Sequence, residues 1–213
     1  MKDQQDNHDR PQAKPNPSWP AGAEPPTGEG AAPTAGHEVR YQGAPPAPGQ
    51  RLCVAAPGPY PKPQVRAASP EYAALLLEDY AGQVSETTAT MQYMYHHFVA
   101  PESVAWIGEM LKSIAIVEMH HIELLGETIK LLGGDPRYYD SDGTYWDARR
   151  VYYGDTFRAQ LEADAKAERE AIAQYERHYK MIEDPYIRQL LVRIIADEQL
   201  HLYMFEWALN FVS

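Results

Sequence analysis

Two tetrapeptides constrain this chain more than any other feature: Glu118-Met119-His120-His121 and Glu198-Gln199-Leu200-His201. Each is a Glu-x-x-His, and residues three apart share one face of a helix. With 18 Glu and eight His in 213 residues, chance alone gives about 0.7 such pairs, so the count by itself says little. Placement says more. Each pair follows, by about 30 residues, another glutamate in phase with an apolar helical stripe.

Upstream of Glu118 that acid is Glu86, in phase with Gly82, Ala89 and Tyr93. Upstream of Glu198 there are two candidates, Glu168 and Glu170, which point roughly 200° apart at about 100° per residue. Glu168 aligns with Leu161, Ala165, Ile172, Tyr175, Tyr179 and Ile182, whereas Glu170 aligns with Ala163, Ala167, Gln174 and Arg177, a small and polar face. Phase selects Glu168. Tyr93 lies seven residues after Glu86, and Tyr175 seven after Glu168. One pattern therefore runs twice: Glu, Tyr at +7, then Glu-x-x-His.

Start and stop signals supply the helices that carry this pattern. Ser69-Pro70-Glu71 offers a capping hydroxyl, a proline at the first position and an acid in the first turn. Helix 1 is predicted over 70–98. Pro101-Glu102-Ser103 opens a second helix, which Gly133-Gly134-Asp135-Pro136 ends. Residues 133–155 are a long connection rich in Tyr and Trp, expected to cover the side of the bundle. A third helix is predicted over about 156–182 and a fourth over about 185–211, divided by Asp184-Pro185. Two short-linked hairpins joined by one long crossover predict an all-α, ferritin-like four-helix bundle over 70–213.

Residues 1–69 read differently. Fifteen of the 18 prolines lie in the first 70 residues, with only four Leu, Ile, Val or Phe residues: Val39, Leu52, Val54 and Val65. Such a segment cannot bury enough apolar surface to offset its chain entropy, so residues 1–69 are expected to be a disordered Pro/Gly-rich tail. Charge divides at the same place: residues 1–70 carry a net +1 and residues 71–213 a net −12. An acidic domain argues against nucleic acid as a partner. No apolar run reaches the roughly 18 to 20 residues of a membrane span, and the polar start lacks the apolar core of a signal peptide. The expected compartment is the cytoplasm, with no membrane partner. Cys53 is the single cysteine, which excludes an intrachain disulfide framework and a Cys₄ metal site.

Four carboxylates at the centre of a bundle would be prohibitive without countercharge. Two divalent cations supply it. Four carboxylates and two imidazoles suit hard or borderline ions, here two manganese or two iron ions. The expected ligands are Glu86, Glu118, His121, Glu168, Glu198 and His201. Tyr93 and Tyr175 are expected beside them as hydrogen-bond or proton donors. Asp197, next to Glu198, is a candidate to accept from the free nitrogen of His121. His96, His97, His120 and His178 fall off the inferred site or near helix ends.

These residues resemble the ferritin-like superfamily of dinuclear carboxylate proteins, over roughly 71–213. Rubrerythrins, bacterioferritins and manganese catalases show Glu on helices 1 and 3 and Glu-x-x-His on helices 2 and 4. The resemblance implies that Glu118 and Glu198 bridge the two metals, although in manganese catalases the position matching Glu198 tends to stand outside the ligand set. One cysteine cannot make the rubredoxin module of classical rubrerythrins. Their extra helix 3 ligand is also missing, since positions 165 and 171 are both Ala. Met119 matches the haem-ligand position of bacterioferritins, but without the cage dimer an ordinary methionine is the reading. The Asp184-Pro185 turn and the spacing from Glu168 to Glu198 look most like manganese catalases and short rubrerythrin-like proteins.

The resemblance implies an oxidoreductase acting on hydrogen peroxide or dioxygen, catalase- or peroxidase-like, as a homodimer or small homo-oligomer. Two rivals stand beside it. One is an iron-handling ferroxidase; the other is a spore-coat or structural protein whose metal only stabilises the bundle.

Overall fold

The computed structural model describes residues 44–47, 50 and 52–213. Most of the expected tail lies outside the described residues. The described residues form five α-helices: α1 (Pro70–Ala81), α2 (Glu86–Val99), α3 (Ala105–Leu131), α4 (Phe157–Met181) and α5 (Pro185–Ala208). Short 3₁₀ turns occupy Glu102–Val104, Ala148–Arg150 and Leu209–Phe211. Among the described residues there is no strand, only an isolated bridge between Tyr139 and Tyr145 in the crossover. No described helix is long and apolar enough to cross a membrane.

Helix 1, expected to be continuous over 70–98, is two helices broken at 82–85. Side chains compete with the helical ladder there. Ser85 accepts from the N–H of Thr88 at 3.3 Å and donates to the carbonyl of Gly82 at 2.8 Å. Thr87 donates to the carbonyl of Tyr80 at 2.6 Å. A Cβ on Gly82 would lie 2.5 Å from the Glu78 carbonyl oxygen, so the turn requires glycine. The break leaves Glu86 in the first turn of α2, where unpaired N–H groups and the helix dipole favour negative charge.

The other boundaries follow their signals closely. Ser69, Thr156 and Asp184 each accept a backbone N–H at a helix start. At the end of α3, Gly133 adopts φ 88°, and the N–H groups of Gly133 and Gly134 bond back to Lys130 and Ile129. The second helix begins a few residues later than its Pro101 signal, because 102–104 form a 3₁₀ turn before α3.

α2 pairs with α3 and α4 with α5, while α1 packs along α3. The apolar core lies in two halves. One gathers Leu76, Leu125, Ile129, Ile182, Leu191 and Ile194. The other gathers Ile107, Leu111, Ile114, Leu161, Met204 and Phe205. On α3, α4 and α5 the candidate ligands fall in the interval between the halves. In the crossover, Trp146 donates to Thr88 at 3.0 Å and Tyr138 stacks on Tyr80, while Tyr138, Tyr145, Tyr152 and Tyr153 all remain exposed.

Residues 52–69 are the second departure. Assigned to the tail from composition, they instead pack against the bundle without helix or strand. Leu52 and Val54 pack on one half of the core, and Tyr60 and Val65 on the other. The Arg66 N–H donates to Asp184 at 2.6 Å, and the Ser69 N–H to the Leu132 carbonyl at 3.1 Å.

Candidate metal centre

All six expected ligands meet between the two core halves, and none is more than 4% exposed. Three-residue spacing puts Glu118 with His121 on the inner face of α3, and Glu198 with His201 on that of α5. The phase argument also holds for α4: Glu168 is buried, and Glu170 is exposed beside Lys166.

The geometry is mirrored. His121 Nδ1 lies 2.9 Å from Glu118 Oε2, 3.2 Å from Glu198 Oε1 and 3.6 Å from Glu86 Oε2. His201 Nδ1 lies 2.8 Å from Glu118 Oε1, 3.1 Å from Glu198 Oε2 and 3.8 Å from Glu168 Oε1. The imidazole centroids are 6.4 Å apart. Two groups of potential ligand atoms result, Glu86–Glu118–His121–Glu198 and Glu118–Glu168–Glu198–His201, the atoms of each within 4.8 Å of one another. Glu118 and Glu198 belong to both.

Without countercharge this cluster is held together by protons. Burial, then the charges of Glu198 and Glu118, pushes Glu168 well above the usual carboxylate range; burial, Glu198 and Glu118 do the same for Glu86. Burial also pushes Glu118 upward, but His201 and His121 outweigh it and hold that carboxyl down to about 2. Both imidazoles are raised well above their ordinary value: burial opposes the charge, and the surrounding carboxylates overcome it. Glu118 Oε1 and Glu198 Oε1 sit within ion-pair distance of an imidazole nitrogen but lack the alignment of a hydrogen bond. Buried oxygens left this way, among carboxylates and imidazoles, are the donor set a pair of divalent cations fits.

Tyr93 donates to Glu168 Oε1 at 2.6 Å, and Tyr175 donates to Glu86 Oε1. Outside the cluster, His121 Nε2 lies 3.0 Å from Asp197 Oδ2, as expected. Burial pushes Asp197 up, but its bonds to His121, Arg193 and Tyr60 outweigh it and hold the group below the usual range. Met119 is exposed on α3, and His120 pairs with Glu123 at the surface.

Two buried clusters escaped the sequence reading. His96 Nδ1 pairs with Asp164 at 2.9 Å, and Gln92 donates to the same carboxylate at 2.8 Å. His178 Nδ1 pairs with Asp79 at 2.8 Å, and Gln174 donates to it at 2.9 Å. A signal was present. Gln92 and His96 stand at +6 and +10 from Glu86, and Gln174 and His178 stand at +6 and +10 from Glu168. The internal repeat is thus longer than the ligands alone. Also missed were the outer contacts made by Val54, Ala56 and Tyr60, which carry no periodic signal.

A manganese catalase of Anabaena PCC7120 superposes with a TM-score of 0.66 at 30% identity, over 70% of this chain and 75% of that one. A protein of Clostridium acetobutylicum named a probable manganese catalase is 27% identical over 171 residues, 70% of this chain and 75% of its own. The bacterioferritin of Desulfovibrio desulfuricans is 33% identical over 125 residues, covering 57% of this chain and 66% of that protein. Its structure, described for its diiron site, superposes with a TM-score of 0.57. Together with the buried carboxylate–imidazole cluster, these relatives point to a dinuclear metal site. Residues 83–211 match the model of the ferritin-like domain, and the chain belongs to that family.

Proposed function

We propose that this protein is a dinuclear oxidoreductase holding two manganese or two iron ions and acting on hydrogen peroxide or dioxygen. The observation that carries the reading is the pair of mirrored four-residue groups sharing Glu118 and Glu198. In this reading Glu86 and His121 would hold one ion and Glu168 and His201 the other, with Glu118 and Glu198 available to both. When bound, the ions would supply the change of oxidation state and Lewis acidity.

The chain supplies the rest. Tyr93 and Tyr175 keep their protons, because burial and then the neighbouring carboxylates push both phenols well up. Each phenol steadies a glutamate and holds a proton at the edge of the site. The apolar halves close the site along the bundle axis. Access is lateral: a cavity of about 270 Å³ between α2 and α4 is lined by Ala89, Ala167 and Ala171 together with Glu86, Glu168 and Glu198. Small side chains in that wall leave room for a peroxide or dioxygen.

A second reading, iron handling by ferroxidation, is favoured by the likeness to bacterioferritin. Metal analysis and oxygen evolution from hydrogen peroxide on one sample separate the two. The leading reading expects about two ions per chain and peroxide turnover; fewer than roughly 0.2 ions per chain after growth in manganese and iron overturns both. Rapid iron(II) oxidation in a cage-sized assembly, without peroxide turnover, favours iron handling.

A further inference from the structure

The internal repeat fails at one position that bears on the centre. Asp197 precedes Glu198 and takes the outer nitrogen of His121. The matching residue before Glu118 is Val117, which offers no acceptor. The outer nitrogen of His201 is instead taken by the backbone carbonyl of Val54, at 2.8 Å. The missing carboxylate is replaced by a segment from outside the four-helix pattern.

The same segment grips the other side. The Ala56 N–H donates to Asp197 Oδ1 at 2.6 Å, and the Tyr60 hydroxyl donates to Asp197 Oδ2 at 2.6 Å. Arg193 pairs with Asp197 at 2.7 Å, donates to the Ala56 carbonyl at 2.9 Å and lies 3.9 Å over the Tyr60 ring. The Tyr60 ring also stands edge-on to His120, 4.5 Å between centroids. Its anchors are apolar at both ends: Leu52 and Val54 on one core half, Tyr60 and Val65 on the other.

An acceptor at Nε2 fixes the imidazole tautomer and leaves the Nδ1 lone pair for the cluster. A carboxylate also makes the ring a stronger donor, which a neutral carbonyl does less. We propose that residues 52–66 are a positioning strap that completes the metal centre, with the Val54 carbonyl standing in for the acceptor lacking at Val117 and with Ala56 and Tyr60 fixing Asp197 behind His121. The inference rests on the metal-centre reading above and makes the two imidazoles unequal by construction.

The test uses the full chain loaded with Mn²⁺ and challenged with a chelator. Leu52→Gly with Val54→Gly removes the apolar hold on the Val54 carbonyl, and retention is expected to weaken about tenfold or more. Adding Val117→Asp gives His201 a carboxylate, and retention is expected to recover. That substitution does nothing for strap packing, so a purely structural strap would show no recovery, and that result overturns the proposal. Tyr60→Phe is the milder variant, usable if the glycine pair fails to fold; it is expected to weaken retention several-fold with the metal-free melting temperature little changed. Unaltered retention in Tyr60→Phe overturns the proposal while leaving the metal centre standing. A parent chain that retains no Mn²⁺ defeats the metal-centre reading itself.

Discussion

Tyr93 on α2 donates to Glu168 on α4 at 2.6 Å, so a phenol of one hairpin steadies an acid of the other. Tyr175 on α4 returns the bond to Glu86 on α2. A hydrogen bond to a charged group is worth about 1.5–3 kcal/mol, and Phe keeps the ring while deleting it. Tyr93→Phe and Tyr175→Phe are each expected to retain both ions and to lose about tenfold in peroxide turnover, a drop of about 1.4 kcal/mol in transition-state stabilisation. Metal analysis and oxygen evolution measure both. Full turnover in the double variant would remove the tyrosines from the mechanism.

Glu118 lies 2.9 Å from one imidazole and 2.8 Å from the other. Glu118→Gln leaves buried positive charge uncompensated, and breaking a buried pair costs about 3–5 kcal/mol. The metal-free variant should unfold at markedly lower urea, and the loaded protein should retain less than half of its metal. Glu170→Gln, on the other face of α4, serves as the control and should change neither.

The sign of the pH dependence is fixed by the raised groups. In the metal-free protein Glu86 and Glu168 titrate well above 4.5, and His121 and His201 well above 6.5. The folded state therefore binds more protons than the unfolded chain, and stability falls as pH rises. The glutamate contribution is complete below 4.5 and the histidine contribution below 6.5; each is lost as pH climbs through the folded value. Calorimetry in chelator should show Tm falling as pH rises above about 4.5, and more steeply above about 6.5. Binding of two ions should release protons, measurable with a pH dye, and should flatten that fall.

The His96–Asp164 pair predicts a structural phenotype. Both side chains are fully buried, and burial raises Asp164 against the pull of His96. Asp164→Ala is expected to cost about 3–5 kcal/mol in urea unfolding of the loaded protein, with metal content unchanged. Loss of metal would instead tie this pair to the centre.

The six clustered residues were legible because a helix converts offsets of three and of about 30 residues into position. Phase alone separated Glu168 from Glu170. The break at 82–85 was not legible. Gly82 fits a small-residue stripe, and the role of Ser85 depends on its hydroxyl reaching Gly82 and Thr88. The strap was hidden for a different reason. Its key contacts use the Val54 carbonyl and the Ala56 N–H, groups that every such residue possesses and no residue type announces. Proline content spoke for a loose chain, yet Leu52, Val54 and Val65, three of its four Leu, Ile, Val or Phe residues, are among those that pack.

The strap also changes what counts as the shortest working version of this protein. A truncation beginning at Pro70 would keep every α-helix among the described residues and their signal in circular dichroism. It would nonetheless uncover the outer nitrogen of His201 and strip two donors from Asp197. Helical content and a finished inner site are separate properties in this chain, and the second draws on residues that precede α1.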